Sequence, residues 1–84
     1  MIEIVFEEEK NRSVALENDI EVGECTFIKD GEVWNIIHTG VIEAYRGQGI
    51  AKRLVAMVME EAEKQNKTVR AQCSYAKKIE EKGN

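Results

Sequence analysis

The sequence predicts an α+β fold: a mostly antiparallel β-sheet with a long helix after the fourth strand and a short helix at the C-terminus. Three observations lead there. Apolar residues up to position 42 recur with a period near two and are interrupted by polar turn clusters. From Ile50 the apolar period lengthens to four. A further short β-like run follows that helix, so the order is β-β-β-β-α-β-α.

Each element has its own signal. Ile2, Ile4 and Phe6 alternate with Glu3, Val5 and Glu7, which predicts a first strand. Glu8-Glu9-Lys10-Asn11 is a polar turn, Ser13 to Glu17 a second strand, and Asn18-Asp19 the next turn. Between Ile20 and Ile28 the alternation changes parity: Ile20 and Val22 share one face, Cys25 and Phe27 the other. A β-bulge near Gly23-Glu24 reconciles them, because one extra residue moves every later side chain to the opposite face. Asp30-Gly31 predicts a hairpin into a fourth strand, Val33 to Ile42. That strand is apolar on both faces, the mark of a central strand covered on both sides.

Ile50, Leu54, Val58 and Ala62, widened by Ala51, Val55 and Met59, form the apolar stripe of an amphipathic helix. It is expected to end near Asn66, a residue that tolerates the left-handed cap conformation. Thr68 to Cys73 resumes as a strand, and Ser74 can cap a last short helix through Ile79 and Lys82. Because the long helix joins two strands, those strands are expected to lie parallel unless another comes between them.

Eighty-four residues suit a single domain, 1–84, with a composition of 43% hydrophobic and 33% charged residues that is globular rather than disordered. The N-terminal run carries a charge and no basic flank, which fits neither a signal peptide nor a membrane span. Cys25 and Cys73 are then expected to be reduced thiols in a cytoplasmic protein. The net charge of −4 is unevenly spread. Residues 1–42 are strongly acidic and residues 43–84 mildly basic. The acidic whole argues against nucleic acid as a partner, while the basic half suits a small phosphorylated ligand or is simply a solvated face.

Arg46-Gly47-Gln48-Gly49-Ile50-Ala51 stands between a strand and a helix. The first N–H groups of a helix lack intrahelical partners, and with the helix dipole they form a site for phosphate. Gly47 and Gly49 let the backbone approach an anion, Ala51 keeps the next turn small, and Arg46 and Lys52 add charge at the rim. A Walker loop would need Gly-Lys-Ser/Thr, where Ile50-Ala51-Lys52-Arg53 stands. A dinucleotide fingerprint would need a small residue where Lys52 sits. A plain connecting turn is the remaining alternative.

The stretch Val41-Ile42-Glu43-Ala44-Tyr45-Arg46-Gly47-Gln48-Gly49-Ile50-Ala51 resembles the acetyl-CoA motif of the GNAT acetyltransferases, (Gln/Arg)-x-x-Gly-x-(Gly/Ala), through Arg46, Gly49 and Ala51. The flanks Ile37-His38-Thr39-Gly40-Val41 and Cys73-Ser74-Tyr75-Ala76 resemble a branch of short, stand-alone proteins of that superfamily. The resemblance implies a minimal GNAT-like fold and acetyl-CoA or CoA as co-substrate, with no metal. It implies that N–H groups from Gln48 to Lys52 hold the pyrophosphate, with Arg46, Gly47, Ile50 and Ser74 also at the cofactor. The pantetheine arm would lie between the strands of residues 33–42 and 68–73, bonded by main-chain groups of Thr39, Gly40 and Val41 in the manner of an added strand.

Three residues are candidates for the chemistry of acetyl transfer to an amine or thiol. His38 could take a proton from the nucleophile, imidazole being suited to exchange near neutral pH, or it could be a histidine packed between strand and helix. Cys73, before a helix start at Ser74, could itself accept the acetyl group, or be a small buried hydrophobe. Tyr75 could protonate the departing CoA thiolate, as a tyrosine there does among GNAT proteins, or pack through its ring. A metal site from His38, Cys25 and Cys73 lacks a chelating pair; Cys25 and Trp34 are assigned to the core. GNAT enzymes place two helices between their first two strands, where this chain has only Glu8 to Asn11. The acceptor side is therefore open or completed by a partner such as a second copy in a homodimer. A non-catalytic acyl-CoA-binding module is the alternative to an enzyme.

Overall fold

The computed structural model describes residues 1–71. The strands are β1 (Ile2–Glu7), β2 (Arg12–Glu17), β3 (Ile20–Asp30), β4 (Val33–Val41) and β5 (Thr68–Ala71), with helix α1 (Ile50–Lys64) between β4 and β5. They form one sheet in sequence order. The pairs β1–β2, β2–β3 and β3–β4 are antiparallel, and β4–β5 is parallel. The expected α+β class and strand order are observed up to β5. The end of the last strand and the short C-terminal helix, with Cys73, Ser74 and Tyr75, lie outside the described residues.

The turns follow the chemistry of their residues. Glu8–Lys10 is a single 3-10 turn closed by Asn11 at φ 51°. Asn18 and Asp19 both take positive φ, 51° and 66°, the two-residue hairpin geometry whose twist matches the flanking strands. Gly31 at φ 61° turns β3 into β4.

The parity change in β3 is a bulge. Ala15 pairs with Gly23 and Leu16 with Glu21, leaving Val22 as the extra residue, one position before the expected site. Val22, Cys25 and Phe27 consequently all reach the core under α1. A second bulge was not expected. Thr26 pairs with His38 and Phe27 with Ile36, so Ile37 is extra in β4. This corrects the expectation of a strand covered on both faces. Trp34 and Ile36 are buried toward α1, whereas Ile37 stays 42% exposed and Ile28 on β3 52% exposed. Of the described elements, only α1 lies against the sheet as a second layer.

α1 buries Ile50, Leu54, Val55, Val58 and Ala62. Opposite them Phe6, Phe27 and Trp34 stack in a row, with centroids 5.9 Å apart for Phe6–Phe27 and 4.6 Å for Phe27–Trp34. Ser13 is also fully buried there, and its Oγ–H donates to the Leu54 carbonyl at 2.8 Å, tying β2 to the middle of the helix. The helix ends as expected. Asn66 takes φ 58°, its N–H donates to the Glu63 carbonyl and that of Lys67 to the Ala62 carbonyl. Those two bonds are the Schellman closure.

Candidate functional site: the cofactor turn and the edge of β4

After β4 the chain makes a 3-10 turn, Glu43–Tyr45, and enters α1 through Arg46–Gly49. Gly47 and Gly49 take φ 83° and 77°. A Cβ at either would meet nothing within 4 Å, so the backbone angle demands glycine while the space beside it stays open. Gly49 is the N-cap residue of α1, and no side chain caps the helix. Glycine brings no side chain of its own to the N–H groups of the first turn. Arg46 is folded back along the turn, its Nε–H donating to the Val41 carbonyl at 3.3 Å.

The same turn faces the edge of β4 beyond its pairing with β5. The described β4–β5 ladder runs from Val33–Thr68 to Ile36–Ala71. Ala71 is the last of the described residues. Beyond this ladder, β4 continues through residues 37–41. A cavity of about 420 Å³ joins this edge to the helix start, lined by Thr39, Gly40, Val41, Tyr45, Arg46, Gly47, Gly49, Ile50 and Ala51. One wall is therefore a strand edge and the other a helix N-terminus. The arrangement suits an extended polar chain that ends in phosphate.

Eight of the expected cofactor residues thus line one cavity. Gln48 and Lys52 belong to the same turn but are not among its lining residues. Tyr45, which the sequence did not single out, also lines the cavity and packs partly against the core.

The catalytic candidates are placed differently. His38 is not packed between strand and helix. It pairs with Thr26 on the sheet face away from α1, and its side chain is 59% exposed. Cys25, opposite Thr39 in β3, is fully buried on the helix side and accepts the Thr39 hydroxyl at 3.5 Å. Cys25 and His38 therefore lie on opposite faces of the sheet, and the structure does not bring them together as ligands. Trp34, like Cys25, is core, as expected.

The His38 ring folds over Gly40: a Cβ there would lie 2.9 Å from Nε2. A second cavity, of about 260 Å³, occupies this outer face. It is lined by Glu21, Val22, Gly23, Glu24, His38, Gly40, Val41 and Ile42. Gly40 and Val41 are walls of both cavities. Beside the second one, Arg12 is 17% exposed and bonds three carboxylates, those of Glu7, Glu21 and Glu24. Glu24, then Glu7, hold its guanidinium pKa above the ordinary arginine value, so it stays charged.

Among the described residues, a five-stranded sheet with one long helix and a glycine turn at the helix start define a small α+β protein. Comparison with known proteins makes this specific: the family model for GCN5-related N-acetyl-transferases matches residues 12–84, and the chain belongs to that family. No curated protein sequence matches it. Among solved structures, it is similar to a GCN5-like candidate N-acetyltransferase from Staphylococcus aureus, at 36% identity and a TM-score of 0.74. That match covers 96% of this chain and 79% of the other. A candidate streptothricin acetyltransferase from Bacillus anthracis, determined in complex with acetyl coenzyme A, matches at 25% identity and a TM-score of 0.68. There the match covers 84% of this chain and 44% of the other. N-acetylglutamate synthase from Neisseria gonorrhoeae shares the fold at 13% identity, with a TM-score of 0.75 over 96% of this chain and 22% of its own.

Proposed function

We propose that the chain binds acetyl-CoA in the 420 Å³ cavity and transfers the acetyl group to an amine or thiol acceptor. The observation that carries this is the joining of the 37–41 edge of β4 to the uncapped start of α1 in one cavity. The pyrophosphate sits on the N–H groups of the first helical turn, beside Arg46, with Lys52 on the next turn adding charge. The pantetheine amides bond to main-chain groups of Thr39, Gly40 and Val41. Membership of the family and the acetyl-CoA complex of the Bacillus protein support the choice of ligand.

Transfer forms a bond from the acceptor nitrogen or sulfur to the acetyl carbon and breaks the thioester C–S bond. The acceptor gives up a proton and the CoA thiolate takes one. His38, on the strand residue between the Ile37 bulge and Thr39, takes the acceptor's proton. Cys73 as an acetylated intermediate and Tyr75 as the thiolate's proton donor complete the proposed set. The protein works in the cytoplasm.

One observation favours a second reading, acyl-CoA binding without turnover. Between β1 and β2 there is only the 3-10 turn Glu8–Lys10, so no helix from this connection shapes an acceptor pocket.

Titration with acetyl-CoA, followed by amide NMR shifts and intact mass with a panel of amines and thiols, tests both. Shifts at residues 39–41 and 46–52 with acetylated product support the enzyme. The same shifts with neither product nor an acetyl group on Cys73 establish the binding module. Unchanged shifts at millimolar acetyl-CoA overturn both readings.

A further inference from the structure

The proposed transfer needs an imidazole held in one place, yet His38 stands on an exposed strand face with its side chain more than half open to solvent. What lies around it is not random surface. The only charged side chain within ion-pair distance among the described residues is Glu24, whose Oε2 is 4.0 Å from His38 Nε2. The other oxygen of that carboxylate is fixed: Glu24 Oε1 accepts from Arg12 Nη1 at 2.9 Å. Arg12 in turn is held from two more directions, by Glu7 on β1 and Glu21 on β3. Both Glu24 and His38 line the outer-face cavity, which shares Gly40 and Val41 with the cofactor cavity.

We infer that Glu24 is a positioning residue, which holds the His38 ring over Gly40 at the boundary of the two cavities. The inference rests on the acetyl-transfer reading for its purpose, though not for its geometry. Three features make the assignment. Glu24 comes from a different strand, one diagonal step from His38 across the β3–β4 ladder, so backbone pairing sets the distance. Arg12 removes the rotational freedom of the carboxylate, which an isolated surface glutamate would keep. Gly40 leaves bare the patch of strand on which the ring rests, since any Cβ there would fall within 2.9 Å of Nε2. In such a group the carboxylate orients the imidazole while the imidazole moves the proton. Glu24 touches neither cofactor nor acceptor in this role.

His38 is the single histidine of the sequence, which gives the test a clean probe. The wild type is expected to show a nuclear Overhauser contact between the His38 ring and the Gly40 α-protons. In Glu24→Gln the contact weakens and the ring nitrogen shifts change, while amide shifts elsewhere and acetyl-CoA affinity stay the same. Glu24→Asp, with Arg12 still beside it, restores part of the contact. With an acceptor found active, Glu24→Gln lowers kcat roughly tenfold, part of the ~100-fold or more a general base supplies, at unchanged KM for acetyl-CoA.

An unchanged ring contact and unchanged ring nitrogen shifts in a folded Glu24→Gln overturn the positioning role. Should Glu24→Gln unfold, wild-type protein at raised salt supplies the second measurement. Loss of the contact together with the Arg12 ion pairs supports the role, and a contact that outlasts them overturns it. Absence of turnover in the wild type with every acceptor defeats the acetyl-transfer reading instead and leaves the ring measurement standing.

Discussion

Ser13 shows how much a single residue in this fold can hold outside the reach of sequence patterns. A serine in an alternating strand reads as a solvent-facing position or as the edge of a turn. Here it is fully buried, and its hydroxyl donates to Leu54 in the middle of α1, forty-one residues away. Nothing local specifies that partner. The Leu54 carbonyl lies mid-helix, where the backbone N–H four residues on uses one of its lone pairs, so removing the hydroxyl does not orphan it. Ser13→Ala is therefore expected to cost about 1 kcal/mol, the net worth of an ordinary hydrogen bond. For a chain of this size that is a fall in Tm of roughly 4–8 °C. Calorimetry giving an unchanged Tm would show that packing alone seats the helix. The conformation of Gly47 and Gly49 was not legible either: the sequence marks them as glycines that let an anion approach, whereas in the structure both take positive φ. The face that His38 occupies was not legible, because strand parity fixes a face only when no bulge intervenes.

At the scale of elements, the helix announces both its ends and its buried face, since its stripe repeats over four turns and its caps are chemically distinctive. Asn66 is the clearer of the two caps. It closes α1 from a left-handed φ of 58°, and the N–H groups of Asn66 and Lys67 satisfy the carbonyls of Glu63 and Ala62. Asparagine tolerates that conformation, glycine adopts it freely and a β-branched residue does not. Asn66→Val should therefore lower stability by about 1–2 kcal/mol, seen as an earlier urea midpoint, while Asn66→Gly keeps it. Equal midpoints for the two variants would mean that the cap geometry is not retained in solution. The bulges divide along the same line. The one at Val22 was visible because it changes the parity of an otherwise regular pattern. The one at Ile37 was hidden, since Ile36 and Ile37 are both apolar and the run looks the same as a strand covered on both faces. That hidden residue shifts the face of every later β4 side chain, His38 included.

For the molecule as a whole, the proposed cofactor cavity gathers parts that no single stretch of sequence contains. One wall is the edge of β4 and the other the first turn of α1, and Tyr45 between them packs against the core. Binding there couples to global unfolding, because neither wall keeps its geometry once the sheet and the helix separate. A ligand that binds only the folded state stabilises it by ~2.7 kcal/mol at a concentration a hundred times its Kd. In a chain of this length that raises Tm by on the order of ten degrees. Acetyl-CoA at saturating concentration should produce a rise of that size. It should shrink as salt is added, because the attraction of Arg46, Lys52 and the helix start for a pyrophosphate is screened in part. Gly49→Glu should abolish the rise altogether. It places a carboxylate where the anion sits and forces a side chain onto a backbone at φ 77°. The variant's own Tm, measured without ligand, separates the two effects: strain lowers it, and a lost site leaves it unmoved by acetyl-CoA. A Gly49→Glu protein that still gains the full rise would place the cofactor somewhere other than the turn between Arg46 and Lys52.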